Sequence, residues 1–469
     1  MSNCVKKGTA LLLALLLALS VSACAKVQGG AESSGGPSSG NPVSSDPASS
    51  REETPSSELS SEMSSEYPSS EQPLSSKEAS SVASIVSKIQ NANTASKASS
   101  KAASSKPASS AAPSSSAPAS SETPSSKEEP KPQINVSHDT MKAVWLSYLE
   151  FQAFKGSTEG AFTSKISAIF DNIKGKGLNT VIVQVRPFGD SFYDSAYYPW
   201  SKCASGTAGM GLDYDPLAIM VEEAHARGLE IHAWLNPYRT MTDKEFAGVD
   251  DSYPTKQWYN SSNRSDYMIP VYSANETRYW LQPGNAEVRQ LIIDGAKEIV
   301  RNYAVDGIHL DDYFYGTSVS TYGDTAAQAK ANTTALIKGL HDGIKSVKGN
   351  VKFGVSPSGS FSASASAPNS DLGYLSTDLA LWCSQPGYLD YVMPQIYWDY
   401  TESKMPFTRT LNKWEDFVTE DSVALYIGLA PYRIPGSSVE SQAQDSLASW
   451  RANGYCLFRY DHIGSLTLP

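Results

Sequence analysis

Residues 139–469 predict an α/β fold: a closed barrel of eight parallel strands, each followed by a helix. Short runs rich in Val, Ile and Leu alternate with stretches of helical periodicity, and eight such units fit into about 330 residues. That count and length match a (β/α)8 TIM barrel. Strands apolar on both faces are those of parallel sheets covered by helices.

The candidate strands are Ala143–Tyr148, Thr180–Arg186, Glu230–Asn236, Gly307–Asp312, Lys352–Pro357, Tyr391–Tyr397, Ala424–Ala430 and Gly454–Tyr460. Phe162–Lys174 reads as the first helix and stops at Gly175–Gly177. Asp215 caps the helix Leu217–Arg227, Pro216 takes its first position and Gly228 ends it. Asn285–Tyr303, Thr325–Val347, Leu375–Gln385, Phe407–Phe417 and Ser438–Ala452 fill the remaining gaps. Only Asp461–Pro469 follows the last strand, too little for an eighth helix, so another segment is expected to close the seam.

The N-terminus reads as an address. Lys6 and Lys7 precede an apolar run, Ala10–Leu19, that is too short to span a bilayer. Small residues then lead into a cysteine, Val21-Ser22-Ala23-Cys24, which resembles a bacterial lipobox. That resemblance implies a signal peptide over 1–23, a lipidated Cys24 and an extracytoplasmic, membrane-anchored protein. Residues 24–138 are dominated by Ser, Ala, Pro, Lys and Glu and cannot bury enough apolar surface to offset ordering. They read as a disordered tether with a mean span on the order of 60 Å, enough to reach from a membrane into a surrounding wall.

Composition excludes several classes. The formal charge of −11 argues against nucleic-acid binding. Beyond the leader, Cys203, Cys383 and Cys456 are an odd set without a CxxC pair; they allow one disulfide but are expected to be small, partly buried thiols, and neither a disulfide framework nor a zinc site. No cofactor or catalytic metal is expected. The 25 Tyr and 9 Trp, nearly all after Met141, suit a carbohydrate partner.

In this fold reactive residues lie at the C-terminal ends of strands. The strand exits carry Ser147-Tyr148 with Glu150, Gln184 to Asp190, His232 to Arg239, Asp306 to Tyr315, Ser356 to Gly359, Pro394 to Asp399, Pro431-Tyr432-Arg433 and Arg459-Tyr460-Asp461. Polar and aromatic residues thus converge on one rim.

The runs Val183-Gln184-Val185-Arg186-Pro187-Phe188-Gly189-Asp190, His232-Ala233-Trp234-Leu235-Asn236-Pro237-Tyr238-Arg239, Asp306-Gly307-Ile308-His309-Leu310-Asp311-Asp312-Tyr313-Phe314-Tyr315 and Pro394-Gln395-Ile396-Tyr397-Trp398 resemble the glycosyl hydrolase-like 10 family. So do Asp215-Pro216-Leu217 and Glu222-Glu223-Ala224-His225. The resemblance runs from about Met141 to Asp461 and implies a TIM barrel with glycoside hydrolase activity. Some members are envelope lipoproteins acting on peptidoglycan glycans stripped of their peptides, which implies that polysaccharide as partner. One departure stands out. Where the family carries Trp-Arg-Arg-x-Asn, this chain has Gln328-Ala329-Lys330-Ala331-Asn332.

Along the fourth strand side chains alternate, so His309 and Asp311 share a face. Asp-Gly-Ile-His-Leu-Asp is also similar to the fourth-strand motif of the alpha-amylase clan, which implies Asp311 as nucleophile or base, with His309 one step deeper. The competing role for Asp311 is a brace against Arg186 or Arg239. Glycoside hydrolysis needs a second carboxyl group, held protonated. The fifth strand supplies none, so Asp312, Asp190, Asp399 and Glu150 are the candidates, and Asp312 alternatively caps the following loop. For substrate binding the candidates are Arg186, Asp190, His232, Asn236, Arg239, His309, Tyr313, Gln395, Tyr397, Trp398, Asp399, Tyr432, Arg433 and Arg459. The arginines suit a sugar-borne carboxylate and the aromatics suit sugar faces. Trp234 and Phe188 read as packing residues, and His225 as a satisfied interface histidine. The rival to an enzyme is a carbohydrate-binding barrel with little or no turnover.

Overall fold

The computed structural model describes residues 137–272, 276–311, 314–361 and 376–469. The leader, the tether and Cys24 lie outside the described residues, as do Asp312 and Tyr313. In chain order the strands are β1 (Met141–Leu146), β2 (Thr180–Arg186), β3 (Glu230–Leu235), β4 (Arg239–Thr242), β5 (Met268–Tyr272), β6 (Thr277–Leu281), β7 (Gly307–Leu310), β8 (Lys352–Val355), β9 (Tyr391–Val392), β10 (Ala424–Leu429) and β11 (Ala452–Leu457).

Eight of them close a parallel barrel in the order β1-β2-β3-β7-β8-β9-β10-β11, with β11 returning to β1 through pairs such as Ala143↔Cys456. Each strand has two apolar faces. Val144, Val181, Ile231, Leu310 and Val355 point outward to the helices, whereas Ala143, Trp145, Ile182, Trp234, Tyr391, Met393, Tyr426 and Cys456 fill the interior. This alternation, buried on both sides, explains why the strands read as continuous apolar runs.

The helices form for the reasons their ends suggest. Asp215 accepts the Ala218 N–H at 3.0 Å and Pro216 opens the helix Pro216–Ala226. The helix Phe407–Phe417 buries Phe407, Leu411 and Trp414 along one stripe. In place of an eighth helix, the C-terminal segment buries Ile463 and Leu466. Lys176 Nζ donates to Leu466 O at 2.8 Å, and Lys142 Nζ to Pro469 O at 2.8 Å, so this tail covers the seam. A three-stranded antiparallel sheet, order β4-β6-β5, is inserted between β3 and β7, where the sequence pattern predicts a single connection. Cys203, Cys383 and Cys456 are free and buried, and burial pushes the first two thiols up to about 11 and about 12.

Candidate active site

At the C-terminal mouth of the barrel a directed chain of hydrogen bonds crosses the first four strand ends. The Tyr148 N–H donates to Gln184 Oε1 at 3.0 Å. A backbone N–H can only donate, so it fixes which end of the Gln184 amide is oxygen. Gln184 Nε2 then donates to Asn236 Oδ1 at 2.6 Å, and Asn236 Nδ2 donates to Asp311 Oδ2 at 2.5 Å. All three side chains are buried, Asp311 at 6% exposure. The chain ends on an oxygen that must accept, as a carboxylate does.

Beneath it, His309 is fully enclosed. Trp145 Nε1 donates to His309 Nε2 at 3.2 Å, and His309 Nδ1 meets the Tyr391 hydroxyl at 3.0 Å. Glycine makes room for this interior. A Cβ on Gly307 would stand 2.6 Å from the His232 ring, and one on Gly354 would stand 2.2 Å from the Tyr391 ring.

The opposite side of the mouth is aromatic. Tyr397 lies 5.8 Å from Phe458 and 6.2 Å from Tyr432, and Tyr432 meets His462 at 5.9 Å. Tyr432 is 46% exposed and so presents a free face. Gln395 sits between β8 and β10, its Nε2 donating to Ser356 O at 2.9 Å.

Several sequence candidates stand elsewhere. Strict alternation would aim Arg186 inward with Gln184, but the β2–β3 register shifts between those two residues. The bulge turns Arg186 outward, where its fully buried guanidinium lies 4.3 Å over the Tyr198 ring. It is not at the mouth. His232 does not reach the mouth either: it is 0% exposed and its Nδ1 meets the Tyr391 hydroxyl at 3.0 Å inside the barrel. His309 also has 0% exposure, so it acts below the mouth and not as a surface contact. Trp398 turns outward, donating to Thr410 Oγ1 at 3.3 Å. Asp399 accepts the Tyr400 N–H at 2.7 Å and the Ser438 hydroxyl at 3.2 Å, which makes it a loop brace. Arg459 pairs with Glu150 at 2.5 Å and Asp461 at 2.8 Å, tying β11 to β1. Glu150 additionally accepts the Ser147 hydroxyl at 2.6 Å, so its carboxylate is engaged on both oxygens. Arg239 donates to Pro187 O at 3.0 Å and lies 4.6 Å over Phe188, at the edge of the inserted sheet. Arg433 is exposed on the loop after β10. His225 pairs with Asp306 at 2.9 Å.

Asp190 is enclosed in the loop after β2, accepting the Phe188 N–H at 2.8 Å. Burial raises its carboxyl to about 6, against the opposing pull of Ser201 and Phe188. In the divergent stretch, Asn332 donates to Asp324 at 3.2 Å, and Tyr315 donates to the same oxygen at 2.7 Å, so this asparagine secures the loop after β7. Gln184, Phe458 and Tyr391 were not among the sequence candidates. Parity with Ile182 would have found Gln184. Tyr391 begins its strand, so a search of strand exits passes over it.

The mouth of this parallel barrel thus pairs a hydrogen-bonded carboxylate with an aromatic wall. Residues 140–446 match the family described as Glycosyl hydrolase-like 10, and the chain belongs to that family. Glycosyl hydrolase YngK of Bacillus subtilis is 33% identical over 322 residues, covering 63% of this chain and 61% of that protein. Glycosyl hydrolase DigH of Escherichia coli K12 is 34% identical over 287 residues, covering 56% and 64%. The chain thus spans about three-fifths of the length of these relatives. Among solved structures, an endo-1,4-beta-mannanase from Rhizomucor miehei superposes at TM-score 0.44 and 12% identity, covering 68% of this chain and 86% of that one. An alpha-L-fucosidase isoenzyme from Paenibacillus thiaminolyticus gives 0.44 and 12%, covering 68% and 46%.

Proposed function

We propose that this chain is a glycoside hydrolase in which Asp311 is the nucleophile or base and Asp312 is one of the candidates for the acid, acting on peptidoglycan glycan strands from a lipid anchor at Cys24. The observation that carries the reading is the amide chain Tyr148–Gln184–Asn236, whose last donor meets the Asp311 carboxylate at the barrel mouth. Preorganised donors of this kind hold a reacting group in place before substrate arrives. The aromatic side supports a carbohydrate substrate, because sugar rings offer apolar C–H faces to stack and hydroxyl edges to hydrogen-bond. Family membership supports the reaction class. The lipobox-like Val21-Ser22-Ala23-Cys24 and the Ser-rich tether support the location and, with it, the substrate.

A second reading, a carbohydrate-binding barrel with little or no turnover, draws on Glu150 and Asp399, two acid candidates already engaged by Arg459 and Ser438. One assay separates the two. The purified protein is incubated with intact and with peptide-stripped glycan strands, and released saccharides are read by mass spectrometry. Shortened saccharides from the stripped strands are expected. Binding without any release over a prolonged incubation would overturn the enzymatic reading.

A further inference from the structure

Inside the barrel, a second polar chain runs along the axis: Trp145, His309, Tyr391 and His232, all 0–2% exposed. Its protons can be placed one after another. An indole N–H only donates, so His309 Nε2, at 3.2 Å, must accept. A neutral imidazole then carries its proton on Nδ1, which donates to the Tyr391 oxygen at 3.0 Å. The Tyr391 hydroxyl hydrogen is left with one partner, His232 Nδ1 at 3.0 Å. His232 therefore bears its proton on Nε2, which faces Glu230 Oε2 at 3.4 Å. Glu230 in turn pairs with Lys352 at 2.9 Å on the far side of the barrel.

A proton added to His309 Nε2 would face the Trp145 N–H, donor against donor. The titratable groups facing His309 are Tyr391 from β9 and His232 from β3. Trp145 from β1 and Trp234 from β3 close the remaining sides, the latter at 6.4 Å between rings. Burial holds the His309 imidazole well below the ordinary histidine range. Asp311 follows His309 by two residues, one position past the end of β7, and its carboxylate meets Asn236 at the mouth above.

We propose that Trp145 and Tyr391 are positioning residues that lock His309 as a neutral Nδ1–H imidazole beneath Asp311. The consequence for catalysis rests on the reading of Asp311 as the catalytic carboxylate. An imidazolium there would attract the carboxylate and weaken it as nucleophile or base; the lock leaves a floor without a titrating charge. The lock itself is a claim about the protein alone.

The test is a long-range 1H–15N correlation spectrum of the whole chain with labelled histidine, His309 being assigned by His309→Gln. In the wild type His309 is expected to keep the Nδ1–H pattern without titrating between about pH 5 and 8, where a free histidine changes charge. Trp145→Phe removes the opposing donor and Tyr391→Phe removes the acceptor, so in each His309 is expected to populate the other tautomer or to titrate. On peptide-stripped glycan strands both variants are expected to lose kcat at the acid side, with KM little changed. A wild-type His309 that carries its proton on Nε2, or that titrates as an imidazolium in this range, overturns the lock. So does retention of the wild-type pattern in both variants. If the wild type releases no saccharide while the spectrum shows the pattern above, the catalytic reading of Asp311 falls and the lock stands.

Discussion

The two halves of the barrel mouth differ in kind. From β1 to β7 the exits are polar and connected: Tyr148, Gln184, Asn236 and Asp311 form one chain in which each donor and acceptor is fixed by its neighbour. From β9 to β11 they are aromatic: Tyr397, Tyr432, Phe458 and His462 touch through ring faces and edges. A hydrogen-bonded chain fixes atoms to within tenths of an ångström, whereas ring contacts tolerate sliding. On the proposed function, the polar half suits bond breaking and the aromatic half suits holding the sugar.

The sharpest break in this comparison is Asp311→Asn. It keeps the shape but exchanges a carboxylate oxygen for an amide. Turnover of peptide-stripped glycan is expected to fall by about 10²–10⁴-fold, the range that positioned acid–base groups contribute. Binding, measured calorimetrically on the same strands, is expected to persist because the aromatic half is untouched. Full activity in this variant would remove Asp311 from the mechanism.

The join between the halves is the next target. Arg459 on β11 reaches Glu150 after β1, and the Glu150 side chain is only 2% exposed. Arg459→Met leaves that carboxylate enclosed and unpaired. A loss of about 2–3 kcal/mol in urea unfolding is expected, below the full cost of a broken buried pair because Arg459 itself reaches solvent.

A third change probes how far the polar half extends. The Asp190 carboxyl keeps its proton up to about pH 6 in the folded protein, whereas the unfolded chain releases it near the ordinary 3.8. The folded state thus binds an extra proton between those values. Its stability falls as pH rises through that window, by about 3 kcal/mol in all, and stays lowered at neutral pH. Asp190→Asn keeps an acceptor for the Phe188 N–H and removes the titration. Unfolding free energies from pH 4 to pH 7 should then flatten, with the variant the more stable at neutral pH. An unchanged slope would show that Asp190 is not the titrating group.

The elements that were legible in the sequence share a cause. β2 spans Thr180–Arg186, and the helix Phe407–Phe417 has the bounds its apolar stripe predicts, because each follows one period from end to end. Asp311 and Asn236 were legible because strand exits face the mouth. The failures come from local departures. The bulge after Gln184 turns Arg186 around without any glycine or proline inside the strand to announce it. β9 shrinks to Tyr391–Val392, so Trp398, expected just past a long strand, instead packs on the helix that follows. The inserted sheet went unseen because Met268–Tyr272 and Thr277–Leu281 lie inside what counted as one βα connection. His232 lies near the start of β3, three residues before its end, so parity carries it into the barrel interior and not to the exit.

The smallest expected effect completes the contrast. Tyr432 stands 46% exposed at the rim, beside Tyr397, Phe458 and His462. Removing its ring by Tyr432→Ala costs the fold little, because an exposed side chain contributes little packing. It does remove a stacking face. Binding of glycan strands is expected to weaken by about 1 kcal/mol, roughly fivefold in Kd, a contribution of the size an aromatic contact makes. If the aromatic half only holds the polymer, kcat at saturating substrate stays constant and KM rises. If kcat falls as steeply as in Asp311→Asn, the division of labour between the two halves is wrong, and Tyr432 belongs with the groups that position the bond to be broken.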